Sequence, residues 1–157
     1  MKLPNGVTGF YSAKHNKPPT IDEKQFKQIC FSLISSNGGE VLDFKEPQVA
    51  TNFFDVEAKV FNKHLHILLN VHYPFMAFAF DVEYGKITFI DEPELFKQFS
   101  PFYNVLNTIE LNAPVLLRLG SKKSIVQNDN ELNSDELEQI AYWKPERIGE
   151  IIFNYWD

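Results

Sequence analysis

The chain has 157 residues, of which 44% are hydrophobic and fifteen are phenylalanine, with one cysteine and a formal net charge of −6. That length fits a single domain, 1–157, with apolar surface enough for a core. The composition excludes a disordered chain and an intrachain disulfide framework. With arginine only at Arg118 and Arg147, it also argues against nonspecific nucleic-acid binding, which needs clustered cations.

No stretch approaches the ~20 apolar residues of a membrane span, and Met1–Gly6 lacks the apolar run of a signal peptide. The expectation is a cytoplasmic protein that binds neither membrane nor nucleic acid. Residues 1–19 read as irregular, with a short strand at Thr8–Tyr11 that Pro18-Pro19 ends. Thr20 to Ser35 is predicted as a helix. Thr20 caps it, Glu23 completes a Thr-x-x-Glu capping box, and Phe26, Ile29, Cys30, Leu33 and Ile34 form its apolar stripe. Asn37-Gly38-Gly39 supplies a left-handed stop.

Glu40 to Phe44 reads as a short strand, ended by Pro47. Phe54, Val56, Ala58 and Val60 then alternate, and the alternation resumes in Leu65, Ile67, Leu69 and Val71. A two-residue turn at Asn62-Lys63 pairs Val60 with Leu65, Ala58 with Ile67, Val56 with Leu69 and Phe54 with Val71. The result is one apolar face of an antiparallel hairpin. The opposite face carries Asp55, Glu57, Lys59, His64, His66, Asn70 and His72.

Phe75–Phe80 is apolar on both faces, the pattern of a central strand. Glu83-Tyr84-Gly85 turns the chain into a fifth strand, Lys86–Ile90. A helix follows from Pro93 to about Phe99, with Asp91 or Glu92 as its cap. Phe102–Leu106 reads as a helical turn, Val115–Leu119 as an edge strand and Ser121–Glu131 as a polar loop. Asn133 or Ser134 caps a helix through Leu137, Ile140 and Ala141, which Lys144-Pro145 breaks. Ile148, Ile151, Ile152 and Tyr155 give a last short helix, or alternatively a strand. The expected fold is α+β: an antiparallel meander sheet of about five strands, an N-terminal amphipathic helix packed on one face, and short C-terminal helices. Two free sheet edges leave pairing into a homodimer open.

His64-Leu65-His66 has metal-ligand character, because residues two apart on a strand point the same way. Glu57 is the better third ligand, since His72 lies roughly 20 Å from His66 along a strand. Cys30 sits on the apolar stripe, where a thiol is an inert packing residue. Serine-hydrolase elbows, P-loops, dinucleotide fingerprints and paired catalytic carboxylates are absent, so no catalytic residue and no cofactor is expected. Acidic residues gather at Asp91, Glu92 and Glu94, and again at Asp129, Glu131, Asp135 and Glu136. These two clusters are the expected docking surface for a basic protein. Trp143 and Trp156 in the aromatic C-terminus are candidate interface anchors, and also ordinary core residues.

The run Tyr142-Trp143-Lys144-Pro145-Glu146-Arg147-Ile148-Gly149-Glu150-Ile151-Ile152-Phe153-Asn154-Tyr155-Trp156-Asp157 resembles the ending of small cytosolic immunity proteins found beside polymorphic toxins in Gram-positive bacteria. Asn70–Phe78 and Phe89-Ile90-Asp91 add to the likeness, which covers about a quarter of the chain. Asn37-Gly38-Gly39 after an amphipathic helix is similar to a feature of the SUKH immunity superfamily, from which the long hairpin departs. The resemblance implies a stoichiometric, non-enzymatic protein that binds a toxin domain, often a nuclease with a basic groove, and blocks its active site. The alternatives are a metal-binding protein or metal-dependent enzyme using His64, His66 and Glu57, and a small-ligand binder using the aromatic sheet face.

Overall fold

The computed structural model describes residues 1–119 and 124–156. Helix α1 spans Glu23–Ser36 and is capped by Asp22, whose carboxylate accepts from the Gln25 N–H at 3.1 Å. It therefore starts later than a Thr20 cap would place it. The cause is the Ile21 N–H, which donates to the Val71 carbonyl at 3.0 Å and holds that residue outside the helix.

Strands β1 (Glu40–Lys45), β2 (Phe53–Val60), β3 (Lys63–Asn70), β4 (Phe75–Glu83) and β5 (Lys86–Ile90) lie in the order β1-β2-β3-β4-β5, every neighbouring pair antiparallel. The β2–β3 turn is Phe61-Asn62, with φ of 54° and 58°. Positive φ at both central residues is the hairpin turn that matches strand twist, and asparagine tolerates it. The register thus differs by two from the expected one: Val60 pairs with Lys63, Ala58 with Leu65, Val56 with Ile67 and Phe54 with Leu69. An even shift preserves the faces, so the apolar side stays intact.

Phe80 is 67% exposed rather than buried, because the β4–β5 register shifts between Ala79 and Asp81. Helix α2 spans Pro93–Phe99 as expected. The turn expected at Phe102–Leu106 is instead a two-residue strand, β6 (Asn104–Val105), parallel to Phe75-Met76 of β4. Asn104 and Leu106 donate to the Pro74 and Met76 carbonyls at 2.8 Å, along the stretch of β4 that β5 does not reach.

Helix α3 (Thr108–Leu111) follows, then β7 (Leu117–Leu119) and β8 (Ser124–Val126), paired as a separate hairpin. The polar loop expected at Ser121–Glu131 therefore contains strand β8, and residues 121–123 lie outside the described residues. Helices α4 (Ser134–Trp143) and α5 (Gly149–Ile152) complete the chain. Thr8–Tyr11 is not a strand: its start belongs to a turn in which the Gly9 N–H donates to the Gly6 carbonyl.

One sheet face buries Phe54, Val56, Ile67, Leu69 and Phe78 under Phe26, Cys30 and Ile34 of α1 and Leu95 and Phe99 of α2. The other buries Phe53, Leu68, Ala77, Ala79 and Phe89 under Ile148, Ile151, Ile152, Phe153 and Trp156. A glycine is required at position 149. A Cβ there would lie 2.5 Å from the Phe89 ring and 3.0 Å from the Leu111 carbonyl, so the helix can approach the sheet only without one. Among the described residues no helix is long and apolar enough to cross a membrane.

Candidate functional site

Beside the apolar residues that the C-terminal segment covers, the second sheet face is polar, with Asp55 buried, His66 largely covered, and His64 and Lys59 exposed. Across the strands Glu57 stands opposite His66, Lys59 opposite His64, Asp43 opposite Glu57 and Lys45 opposite Asp55. The hydrogen bonds run diagonally. His66 Nδ1 lies 2.7 Å from Asp55 Oδ1, and His64 Nε2 lies 2.6 Å from Glu57 Oε1. The two imidazoles stack at 6.1 Å.

The Asp55 hydrogen bond raises the His66 pKa above its ordinary value. Burial opposes the rise, and the charges of Asp55, Glu57 and Asp81 add to it. Tyr155 borders this surface against Phe53 and Tyr84, at 5.5 and 5.4 Å between ring centroids. Burial first, then the Asp55 and Asp81 charges, push its phenol up to about 12.

A carboxylate-oriented imidazole is the geometry of a general base. Neither imidazole here hydrogen-bonds a serine, threonine or cysteine among the described residues. Cys30 lies on α1, packed against the opposite sheet face, and burial pushes its thiol well up, leaving it protonated and inert. His64, His66 and Glu57 share one face, but each imidazole commits a nitrogen to a carboxylate. Among the described residues no group of three or more His, Cys, Asp or Glu side chains is placed to hold a metal ion.

The expected acidic docking residues divide between surface and interior. Asp91 is exposed and accepts from Thr108 N and Oγ1 at 2.9 and 2.7 Å. Glu94 is exposed beside Lys97, Asp129 is exposed, and Glu131 pairs with Lys2 at 2.8 Å. Asp135 lies 3.8 Å from His15. Glu92, in contrast, is buried against Lys63 Nζ at 2.8 Å.

Glu136 is wholly buried. Its Oε1 accepts from Gly6 N and Asn133 N, and its Oε2 from Thr8 N and Thr8 Oγ1. These two carboxylates satisfy internal donors and offer nothing to a partner. Trp156 is likewise a core residue, 6.4 Å from the Phe10 ring, and Trp143 is half-buried with its Nε1–H on Gln139 Oε1.

Both tryptophans line a cleft of about 240 Å³ between the β4–β5 turn and the C-terminal segment, together with Tyr84, Lys86, Lys144 and Tyr155. Of these the sequence singled out only the terminal aromatics. The signal for the rest was Tyr84-Gly85-Lys86, a turn that carries an aromatic and a cation.

No protein-family model, no curated protein and no solved structure matches this chain.

Proposed function

We propose that the chain is a non-enzymatic, cytoplasmic binding protein of the immunity type, which docks a basic toxin domain and blocks its active site. The observation that carries this reading is the corner where the β5–α2 connection meets α3. Asp91 grips Thr108 there, and the next side chain, Ile109, stands 82% exposed beside Glu110. An apolar anchor with an acidic rim suits a desolvated contact with a cationic surface. The net charge of −6 favours fast encounter with such a partner, falling with salt. A lone, buried cysteine suits a reducing compartment.

The test is capture by the tagged chain of the products of its neighbouring genes, at low and at high salt. The expected result is a one-to-one complex weakened by salt. Ile109→Ser should weaken it about tenfold with no change in melting temperature. Failure to capture any of these products at low salt would overturn the reading.

A further inference from the structure

We propose that the cleft between the β4–β5 turn and the C-terminal segment binds a small planar aromatic molecule carrying one anionic group. Three observations carry this independently of any protein partner.

The walls are aromatic. Tyr84, Trp143, Tyr155 and Trp156 all line the cleft, Trp156 from the core side with 8% of its surface exposed, and aromatic rings favour another ring in offset or edge contact. The volume, about 240 Å³, falls below the roughly 300–1,000 Å³ of drug-sized sites. That volume matches one ring system with a short substituent.

The two cations lining the cleft are unpaired, although the chain as a whole is acidic. Lys86 and Lys144 form no ion pair among the described residues. On the same wall Glu150 is already committed. Its Oε2 accepts from Glu146 N and Arg147 N at 2.6 and 3.0 Å, and its Oε1 faces the Arg147 guanidinium at 3.6 Å. Two unpaired ammonium groups therefore outweigh the single remaining carboxylate, that of Glu146. In a protein of net charge −6 that local excess selects an anion.

Lys144 also stands at a left-handed position, φ 50°, just after α4. Helix ends favour glycine or asparagine in that conformation. A lysine held there, at the lip of a cleft, is backbone strain of the kind that gathers at ligand sites. The Tyr155 hydroxyl keeps its proton at neutral pH and so adds no negative charge to the cleft.

The two tryptophans are the only ones in the chain, so the test has a direct readout. The ¹⁵N-labelled full chain gives two indole N–H cross-peaks, and indole-3-acetate is the titrant. Tryptamine has the same ring with a cation, and cyclohexylacetate the same anion without an aromatic ring.

Both indole peaks should shift and saturate with indole-3-acetate. Tryptamine and cyclohexylacetate should bind about tenfold more weakly or less, and Lys86→Gln and Lys144→Gln should each weaken indole-3-acetate about threefold or more. Lys86→Gln covers the case in which Lys144→Gln disturbs the helix end. No saturable shift at about 10 mM indole-3-acetate, or equal binding of tryptamine, would overturn the proposal. Neither result depends on whether a toxin domain binds elsewhere, so the two readings fail separately.

Discussion

Glu136 separates two accounts of the acidic residues. As a surface group its loss would leave stability within about 0.5 kcal/mol and affect only binding. As a buried clasp it holds the N-terminal segment to the start of α4 through four donors: Gly6 N at 2.7 Å, Thr8 N at 2.9 Å, Thr8 Oγ1 at 2.5 Å and Asn133 N at 3.1 Å. Glu136→Ala strands three backbone N–H groups, each costing about 1–3 kcal/mol if no water reaches it. Partial relaxation of residues 6–8 towards solvent brings the expected total to about 3–5 kcal/mol, a large share of the ~5–15 kcal/mol that a domain possesses. At about 2–4 °C per kcal/mol for a chain of this size, the melting temperature should fall by roughly 6–20 °C.

Glu136→Gln keeps the shape but turns an NH₂ towards one pair of donors, and should cost about 1–3 kcal/mol. Urea unfolding followed by far-UV circular dichroism measures both variants. The order wild type, Gln, Ala in midpoint is expected. A midpoint for Glu136→Ala equivalent to less than about 0.5 kcal/mol of change would refute the clasp and return Glu136 to the surface.

Because His66 is raised in the folded state by its Asp55 hydrogen bond, that pair contributes its full stability below the ordinary histidine value of 6.5. The contribution is lost as pH rises through the folded value. The His66 ring-proton titration should therefore have its midpoint above 6.5 and move down in Asp55→Asn, and a wild-type midpoint at or below 6.5 would contradict the pair. Phe78→Asp should abolish the cooperative thermal melt, since it buries an unpaired charge between β3 and α2. Phe80→Asp, two residues on, should change stability by no more than about 0.5 kcal/mol, and a comparable loss in both would deny the register shift at Ala79/Asp81. Gly149→Ala should cost about 1–3 kcal/mol in urea despite alanine's better helix propensity, through the clash with Phe89, and a stabilised variant would show that α5 stands further from the sheet.

The sheet was legible because alternation encodes faces, and a face survives any even error in register. Phe54, Val56 and Ala58 are buried beneath α1 although their partners lie two residues from those expected. The turn was less legible. Phe61-Asn62 and Asn62-Lys63 both contain one residue suited to positive φ, and which one closes depends on strand twist and the tertiary cover. β6 escaped detection because two residues of parallel pairing leave no periodicity, and its partner lies almost thirty residues back along the chain.

The clasp escaped for a related reason. Glu136 meets backbone N–H groups 128 and 130 residues away, and a backbone donor has no sequence signature. In the sequence alone a buried carboxylate and a solvated one look alike, so counting acidic residues overstated the docking surface. Pattern located the polar half of the second face, with Asp55, Glu57, His64 and His66 on it, but not the burial of Asp55. It did not show where the cover ends.

That edge is set by three buried asparagines. Asn52 Nδ2 and Asn70 Nδ2 each donate to both the Val7 and Ile152 carbonyls, all at 2.9 Å, while Asn52 Oδ1 accepts from Asn154 N. Sheet, N-terminal segment and C-terminal segment meet there, so the position of the cover over Phe53 and Leu68 depends on this junction. Each carbonyl draws on two donors. Asn52→Ala or Asn70→Ala alone leaves both carbonyls one partner, whereas the double variant leaves neither with an asparagine donor. The double variant should therefore lose about 1–3 kcal/mol more than the sum of the singles in a urea double-mutant cycle. Additivity within about 0.3–0.5 kcal/mol would mean that the two asparagines act separately. The predicted excess would mean that the junction behaves as one element, joining sheet, N-terminal segment and C-terminal segment through shared carbonyls.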